Sequence, residues 1–420
     1  MIRFVLSDLR RLWGGALVVV LLVALAVALG VAVTLQERAL RLGSARAADK
    51  FDLIIGAAGS ETQLVLSSVF LQPSPLPLMD GAVLPSLIRD PRIAWAAPIG
   101  FGDSFENYPV VGTTTVLVNN LSSGLAEGRI FEREGEAVIG SAVALQLGTT
   151  IKPTHGAVGE GGHTHTELAY HVAGRLRPTG TAWDRAILVP IQAVWHIHGL
   201  GHNHAHGHSA AELLLEEARQ QQSAAEALSH ADAPVVETWE GELPGLPAIL
   251  VKPRTIIDAY RLRQEYREGP MLAVFPAEVL TRLYATLGDA KRVLFAIAAG
   301  SQALVAASLL LVTIIHIGQR RRQIGALRAF GAPRHALFLT SWLELFSLVA
   351  LGVGLGFLLG YIAALVIAQM FSAESGVGLP VAFSRLDLSF AAALLGFGAL
   401  LAAVPAVLAY RQSPAAALRA

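Results

Sequence analysis

The fold of this chain is decided by residues 13–35, WGGALVVVLLVALAVALGVAVTL, which contain no Asp, Glu, Lys or Arg. This stretch (Trp13–Leu35) is longer than the ~20 apolar residues that an α-helix needs to cross ~30 Å of hydrocarbon. It also exceeds the roughly 7–15-residue apolar region of a cleaved secretory signal, so we expect an uncleaved anchor. Three further uncharged stretches share these properties: Val293–Ile315, Leu345–Ala373 and Leu388–Tyr410. The sequence therefore predicts a bundle of four transmembrane helices.

A long, mostly polar region separates the first predicted span from the second. Its β-branched runs predict strands at Phe51–Gly56, Tyr108–Val118 and Ile187–Ile191. Helical periodicity dominates 211–230 and 269–288. This mixture predicts an α/β domain inserted between transmembrane helices 1 and 2. The expected domains are 1–40 (cytoplasmic stub and first helix), 41–288 (the inserted domain) and 289–420 (helices 2–4 with a cytoplasmic segment at 318–335).

The arginines predict the orientation of the chain in the membrane. Five of them and no acidic residue lie in the short segment 318–335, and both the N-terminal stub and the C-terminal tail are basic as well. Short basic segments stay on the cytoplasmic side of a bacterial inner membrane, whereas a long domain crosses regardless of its charges. We therefore expect both termini in the cytoplasm and the large domain in the periplasm.

The composition excludes several classes of function. A formal net charge of +0 removes any argument for nucleic-acid binding. Cysteine is absent, so the chain has neither disulfides nor a cysteine nucleophile. No Gly-x-x-x-x-Gly-Lys-Ser/Thr motif occurs, so the chain lacks the loop that cradles ATP phosphates. We therefore predict that the protein is not itself an enzyme.

The segment 318–332, GQRRRQIGALRAFGA, resembles the R-R-x-x-I-G-x-L-R-A-x-G-A segment of the FtsX/MacB-type ABC transporter permeases. The C-terminal Pro405–Arg419 and two stretches of the inserted domain, 131–147 and 170–189, are similar to other parts of that family. The resemblance implies a MacB-like periplasmic core domain and a homodimer. It also implies a separate ABC ATPase subunit, which binds the ATP and Mg²⁺.

The same resemblance implies that segment 318–335 contains a coupling helix that inserts into the ATPase. The residues that would carry this coupling are Arg321, Arg322, Ile324, Gly325, Leu327, Arg328, Ala329 and Gly331. Their pattern also fits a short amphipathic helix at the membrane interface, which can dock a partner. The alternative is that the arginines only fix the topology.

One acidic residue, Glu344, lies close to the cytoplasmic end of the third predicted span. Ionisable groups at membrane depth are costly and need a partner. We therefore expect Glu344 to have a structural role, pairing with Arg328 or Arg334. The third span also carries a ladder of glycines: Gly352, Gly354, Gly356 and Gly360. Small residues predict close helix packing, either within the bundle or in a dimer.

Histidine is concentrated in the inserted domain. Six of the 13 histidines fall within residues 196–208, HIHGLGHNHAHGH. Neutral imidazole is a ligand for zinc and also suits copper or nickel, and alternating histidines with glycine spacers can wrap an ion. The candidate metal ligands are His163, His165, His196, His198, His202, His204, His206 and His208. The alternative is a polar loop whose histidines bind metal without a cellular role.

These features predict a permease subunit, surrounded by membrane lipids, that couples ATP hydrolysis on a separate ATPase to movement of periplasmic domains. The zinc link has two forms, because the domain either handles a metal-bound cargo or responds to metal occupancy. Two other functions stay open. A lipoprotein- or lipid-releasing permease predicts an apolar groove on the external domain. A non-transporting mechanical regulator of an envelope enzyme predicts a stable periplasmic protein partner instead of a cargo.

Overall fold

The computed structural model describes residues 13–72, 74–155, 169–198, 231–267, 269–283 and 333–411, together with residues 296, 299, 300, 303 and 307. The chain divides into two compact units. We call the first the membrane unit (1–40, 287–370 and 380–420) and the second the α/β unit (41–286 and 371–379).

The helices are α1 (Trp13–Ala47), α2 (Glu61–Phe70), α3 (Val83–Arg89), α4 (Thr115–Leu121), α5 (Ile191–Ile197), α6 (Ile256–Glu265), α7 (Arg334–Ser375) and α8 (Arg385–Arg411). A 3₁₀ turn covers Ala182–Arg185, and residues 276–283 are also helical. The strands are β1 (Leu53–Ala57), β2 (Ile93–Phe105), β3 (Tyr108–Thr113), β4 (Leu125–Gly128), β5 (Glu136–Ile139), β6 (Thr150–Ile151), β7 (Thr154–His155), β8 (Tyr170–Leu176), β9 (Ile187–Pro190), β10 (Ala248–Pro253) and β11 (Met271–Val274).

The strands form one mixed sheet in the order β11-β1-β10-β2-β3-β9-β5-β8-β4, with β6 also paired to β8 and β7 to β2. Strand β2 has 13 residues, and its first half pairs with β10 while its second half pairs with β3 and β7. It therefore joins the two halves of the sheet. Apolar clusters pack on the sheet, and their largest fully buried side chains are Trp183, Tyr170, Phe51 and Phe131.

Two predicted strands are confirmed: Phe51–Gly56 corresponds to β1, which begins at Leu53, and Ile187–Ile191 corresponds to β9, which ends at Pro190. Every residue of β9 is buried, and so is nearly all of β1. Both strands are continuous apolar runs because both faces of the sheet are covered there, which removes the alternation of polar and apolar residues. The expected α/β domain is therefore present.

The predicted strand Tyr108–Val118 is wrong in its second half. Strand β3 ends at Thr113, and helix α4 begins at Thr115. The carboxylate of Glu237 accepts hydrogen bonds from the backbone N–H of Thr115 at 2.5 Å and from its hydroxyl at 2.7 Å. A negative charge at a helix N-terminus is stabilising. Glu237 is far away in sequence, so the local pattern of β-branched residues did not reveal this helix start.

The predicted helix over 269–288 is wrong at its beginning. Residues Met271–Val274 form β11, which pairs with β1 at the edge of the sheet. Gly269 has a φ of +86° and is followed by Pro270, so the chain turns there and cannot continue a helix. Helical structure begins only at residue 276 and is described as far as 283. The predicted helix at 211–230 lies outside the described residues.

Among the described residues, three helices are long and apolar enough to cross a membrane: Trp13–Ala47, Phe338–Ser375 and Arg385–Val404. They correspond to the first, third and fourth predicted spans. The second, Val293–Ile315, lies outside the described residues except for a few helical positions. Large apolar side chains are exposed on all three helices, including Leu25, Leu351 and Leu400. Such surfaces fit a lipid environment.

Helix α7 packs against α1 along one face of its glycine ladder. A Cβ added to Gly352 would lie 2.6 Å from the Cβ of Val23, and one added to Gly356 would lie 2.6 Å from the Cβ of Val27. Gly360 continues this contact one turn further along. The missing side chains allow the two backbones to approach closely. The predicted close packing is thus found within the bundle.

Polar contacts fix helix α8 to the other two. The guanidinium of Arg38 in α1 donates hydrogen bonds of 2.6 and 3.0 Å to the two carboxylate oxygens of Asp387. Asp387 also accepts a hydrogen bond of 2.6 Å from the backbone N–H of Ser384, which caps the start of α8. From α7, the indole N–H of Trp342 donates to the carbonyl oxygen of Ala399 at 2.9 Å.

Candidate functional site

Three side chains of the α/β unit, Asp103, His155 and His198, bring their polar atoms together. Each offers one ligand atom, and these atoms all lie within 4.8 Å of one another. The Nδ1 of His155 lies 3.4 Å from Oδ1 of Asp103, and the Nε2 of His198 lies 3.4 Å from Oδ2. The centroids of the two imidazole rings are 5.1 Å apart. We call these three residues the His–Asp cluster.

Strand pairing places Asp103 beside His155. Strand β7 pairs antiparallel with the second half of β2, and in this register the two residues are directly opposite each other. Side chains in that relation are neighbours on one face of a sheet. The register of β2 shifts between Gly100 and Asp103, and Gly102 there has a φ of +152°, which favours glycine. Such irregularities re-aim side chains and often border functional sites.

Helix α5 brings His198 to the cluster. The helix rests on Gly100 and Gly112, which are paired across β2 and β3. A Cβ on Gly100 would lie 2.7 Å from Cδ1 of Ile191, and one on Gly112 would lie 2.6 Å from Cγ2 of Val194. Because these two positions have no side chain, α5 lies close to the sheet. His198 is the C-cap residue of α5, so its position follows from this packing.

The members of the cluster differ in exposure. The side chain of Asp103 is only 2% exposed, that of His198 is 16% exposed and that of His155 is 59% exposed. A carboxylate withdrawn from water must be compensated by hydrogen-bond donors or by a cation. Two imidazoles and one carboxylate can share protons or ligate a metal ion. Solvent reaches the cluster from the side of His155.

A second pair of histidine and carboxylate lies next to the cluster in sequence. The Nδ1 of His196 is hydrogen-bonded to Oε2 of Glu134 at 2.8 Å, and Glu134 is buried. Burial raises the pKa of the Tyr170 phenol well above its ordinary value, and the negative charges of Asp103 and Glu134 raise that pKa further. Tyr170 therefore stays a neutral phenol within the field of both carboxylates.

Of the predicted metal ligands, the structure describes His196 and His198. It brings His198 into the His–Asp cluster and pairs His196 with Glu134. The remaining predicted ligands lie outside the described residues: His163, His165, His202, His204, His206 and His208.

The predicted ATPase-coupling residues, all within 321–331, also lie outside the described residues. Glu344 is half-buried in α7. Its predicted partner Arg328 lies outside the described part of the chain, and so does the side chain of Arg334. The structural role of Glu344 therefore stays a prediction.

Two members of the cluster, Asp103 and His155, were not among the predicted ligands. His155 did carry a signal, because it precedes His163 and His165 in a histidine-containing stretch. Asp103 carried none, since it is an isolated acid in the sequence GFGDSF, far from every histidine. Only the pairing of β2 with β7 brings it to the site.

Comparison with known proteins identifies the C-terminal part of the chain. Residues 295–414 match the family model described as FtsX-like permease C-terminal, which confirms the resemblance seen in the sequence. FtsX-like permeases are membrane components of ABC transporters and work with a cytoplasmic ABC ATPase. The matched residues include helices α7 and α8.

Two solved structures are similar to this chain over about half of its length. The periplasmic region of MacB from Actinobacillus actinomycetemcomitans is 10% identical with a TM-score of 0.31, over 57% of this chain and 95% of that chain. The extracellular domain of the noncanonic ABC-type transporter YknZ from Gram-positive bacteria is 8% identical with a TM-score of 0.28, over 53% and 98%. No curated protein matches the sequence.

Proposed function

We propose that this chain is the permease subunit of an FtsX-type ABC transporter, which couples ATP hydrolysis on a separate ATPase to movement of a periplasmic domain. The observation that carries the proposal is the family match over residues 295–414, which include two of the three described helices able to span a membrane. The sequence has no phosphate-binding loop of its own. The energy for the movement must therefore come from a partner chain.

The packing of the membrane unit supports transmission of a movement. Helix α7 is held to α1 through its glycines, and α8 is held to α1 by the pair of Arg38 and Asp387. Helices α1 and α7 also contribute residues to the α/β unit, through 41–47 and 371–375. A displacement of either helix along its axis is thus carried by covalent structure into residues of that unit.

The finer parts of the proposal rest on the sequence. Segment 318–335, with five arginines and no acid, supplies the cytoplasmic contact with the ATPase. Two permease copies work with two ATPase copies, and both termini of each permease lie in the cytoplasm. The α/β unit lies in the periplasm, where the histidine-rich residues 196–208 link its action to zinc. That link is carried by a metal-bound cargo or by metal occupancy itself.

Reconstitution with the cognate ATPase tests whether the permease is coupled to ATP hydrolysis. The purified chain alone is expected to hydrolyse no ATP, and the complex is expected to hydrolyse ATP in a manner that depends on the permease. Arg328→Glu and deletion of residues 323–330 should each abolish complex formation or uncouple ATP turnover. Reversal of an exposed arginine of the α/β unit, Arg133→Glu, serves as the control and should change neither.

The proposal is overturned if the 323–330 deletion leaves both complex formation and ATP turnover intact. A complex that forms and turns over ATP normally, but retains a periplasmic protein and moves no cargo, would instead favour the mechanical regulator. Copurification of lipid or lipoprotein with the complex would favour the releasing permease. All three functions depend on the same separate ATPase, so they are distinguished by what the periplasmic domain binds.

A further inference from the structure

We propose that the His–Asp cluster, Asp103, His155 and His198, is a preformed binding site for a zinc ion. This site differs from the histidine-rich segment as a whole, because two of its three ligands lie outside residues 196–208. The inference concerns the α/β unit alone and does not depend on the transport function.

The separations between the ligand atoms fit a metal site. Ligand atoms about 2.05 Å from a zinc ion at the tetrahedral angle are about 3.3 Å from each other. The Nδ1 of His155 lies 3.4 Å from Oδ1 of Asp103 and the Nε2 of His198 lies 3.4 Å from Oδ2, and one ligand atom from each residue lies within 4.8 Å of the other two. Hydrogen bonds between nitrogen and oxygen are usually about 2.9–3.0 Å long. The two contacts between histidine and carboxylate are therefore longer than usual hydrogen bonds, although the one from His155 is still within hydrogen-bonding distance, and both are close to the spacing that a tetrahedral ion imposes.

The kinds of ligand point to zinc. Mg²⁺ and Ca²⁺ prefer sites made of oxygen atoms, whereas imidazole nitrogens favour zinc and its neighbours in the transition series. Two histidines and one carboxylate are a known type of zinc coordination, and three protein ligands leave the fourth position open to water or to another donor. The exposed ring of His155 is on the side where an ion can enter. The site thus holds an exchangeable ion.

The scaffold of the site is built before an ion arrives. Asp103 lies between two strands, since β2 pairs with both β3 and β7 at this position. His198 is placed by helix α5, which rests on paired glycines. A Cβ on Gly102 would lie 3.1 Å from Nε2 of His198, so glycine at this position leaves room for that ring. Zinc would therefore connect β2, β7 and the end of α5 without large rearrangement.

Metal titration of the full-length protein in detergent tests the site. Co²⁺ is used as a spectroscopic probe, because tetrahedral cobalt absorbs visible light, and Zn²⁺ is then titrated in competition. All measurements use a background in which four histidines of the histidine-rich segment, His202, His204, His206 and His208, are replaced by alanine. We expect this background to retain one tight tetrahedral ion per chain. On it, His155→Ala, His198→Ala and Asp103→Asn should each weaken binding by more than about tenfold.

His171→Ala is the matched control, because this histidine of the same unit is not a member of the cluster and its Nδ1 is hydrogen-bonded to the hydroxyl of Thr150 at 3.1 Å. It should leave the affinity for Zn²⁺ unchanged. Zinc should also raise the melting temperature of the background protein in a concentration-dependent way, and it should not raise that of the Asp103→Asn variant.

X-ray absorption of the zinc-loaded background protein keeps the test independent of whether the ligand variants fold. Two imidazoles with oxygen ligands are expected around the ion. Coordination by oxygen alone, or loss of all tight binding when His202, His204, His206 and His208 are removed, would overturn the proposal. Equal zinc affinity in the His198→Ala variant and its parent would overturn it as well.

Discussion

The ion pair of Arg38 and Asp387 shows what one charged contact contributes to the membrane unit. Their side chains are only 17% and 10% exposed, and the contact is bidentate. Two oppositely charged side chains that are buried stabilise each other through a bidentate, charge-assisted hydrogen bond. Removal of one of them leaves the other charge uncompensated, at a cost of about 3–5 kcal/mol in the free energy of unfolding. The carboxylate has a second task, since it caps α8 through the backbone N–H of Ser384.

We therefore expect Asp387→Asn to lower the free energy of unfolding by about 3 kcal/mol or more, because the amide keeps an acceptor for the cap but loses the charge. Adding Arg38→Leu should recover most of that loss, since no unpaired charge remains. Unfolding in detergent measures both effects as a double-mutant cycle. The exposed pair of Arg133 and Asp232 is the control, and its removal should cost less than about 1 kcal/mol. Additive losses at Arg38 and Asp387 would contradict this account of the pair.

Single residues also mark the limit of prediction from the sequence. His198 could be predicted as a ligand because it lies in a segment of alternating histidines, a compositional signal that needs no structure. Asp103 could not, because a partner strand places it beside His155 and a helix that rests on glycines brings His198 to it. A contact between residues far apart in sequence likewise brings Glu237 to the start of α4. Local pattern carries no information about groups that long-range pairing brings together.

At the level of elements, the glycines of α7 divide into two functional kinds. The sequence predicted one ladder, but helical geometry places residues four apart on the same face and residues two apart on different faces. Gly352, Gly356 and Gly360 accordingly meet α1. Gly354 has no atom within 4 Å of an added Cβ among the described residues. The sequence could give the period of the ladder, but not the face that its partner occupies.

Substitution of one glycine from each kind tests this division. Gly356→Ala places a methyl group 2.6 Å from the Cβ of Val27 and 2.7 Å from the carbonyl oxygen of Ala24, so α7 must move away from α1. We expect the free energy of unfolding in detergent to fall by about 1–3 kcal/mol. Gly354→Ala is the matched control and should be neutral or stabilising by up to about 1 kcal/mol, because alanine favours helix. Equal losses in the free energy of unfolding at both positions would contradict the assignment of Gly356 and Gly354 to different faces of α7.

At the level of the whole molecule, each unit is assembled from separated pieces of chain. The α/β unit includes residues 371–379, which follow the membrane-spanning part of α7. The backbone N–H of Gly378 donates to the carbonyl oxygen of Gly180 at 2.9 Å, and Val377 is buried in the core of that unit. This contact could not be predicted from the sequence, since residues 374–379 have the pattern of an ordinary connection between two apolar spans. The apolar spans themselves were predictable, because hydrophobic length is a local property.

Because residues 371–379 belong to the α/β unit and Gly378 contacts Gly180 there, we expect the connection between α7 and α8 to lie on the same side of the membrane as that unit. Because the chain has no cysteine, single cysteines report their location without background. We expect Asp232→Cys and Glu374→Cys to react with a membrane-impermeant thiol reagent from the periplasmic side. Ala326→Cys and Leu418→Cys should react only after the inner membrane is opened, since the positive charges of the arginine-rich segment and of the tail favour the cytoplasmic side. Position 326 tests the second predicted span as well, because an odd number of crossings between 283 and 326 is needed to bring it inside. Reaction at 326 from the periplasmic side would remove that span and the cytoplasmic contact with an ATPase. Opposite sides for 232 and 374 would instead contradict the contact between Gly378 and Gly180.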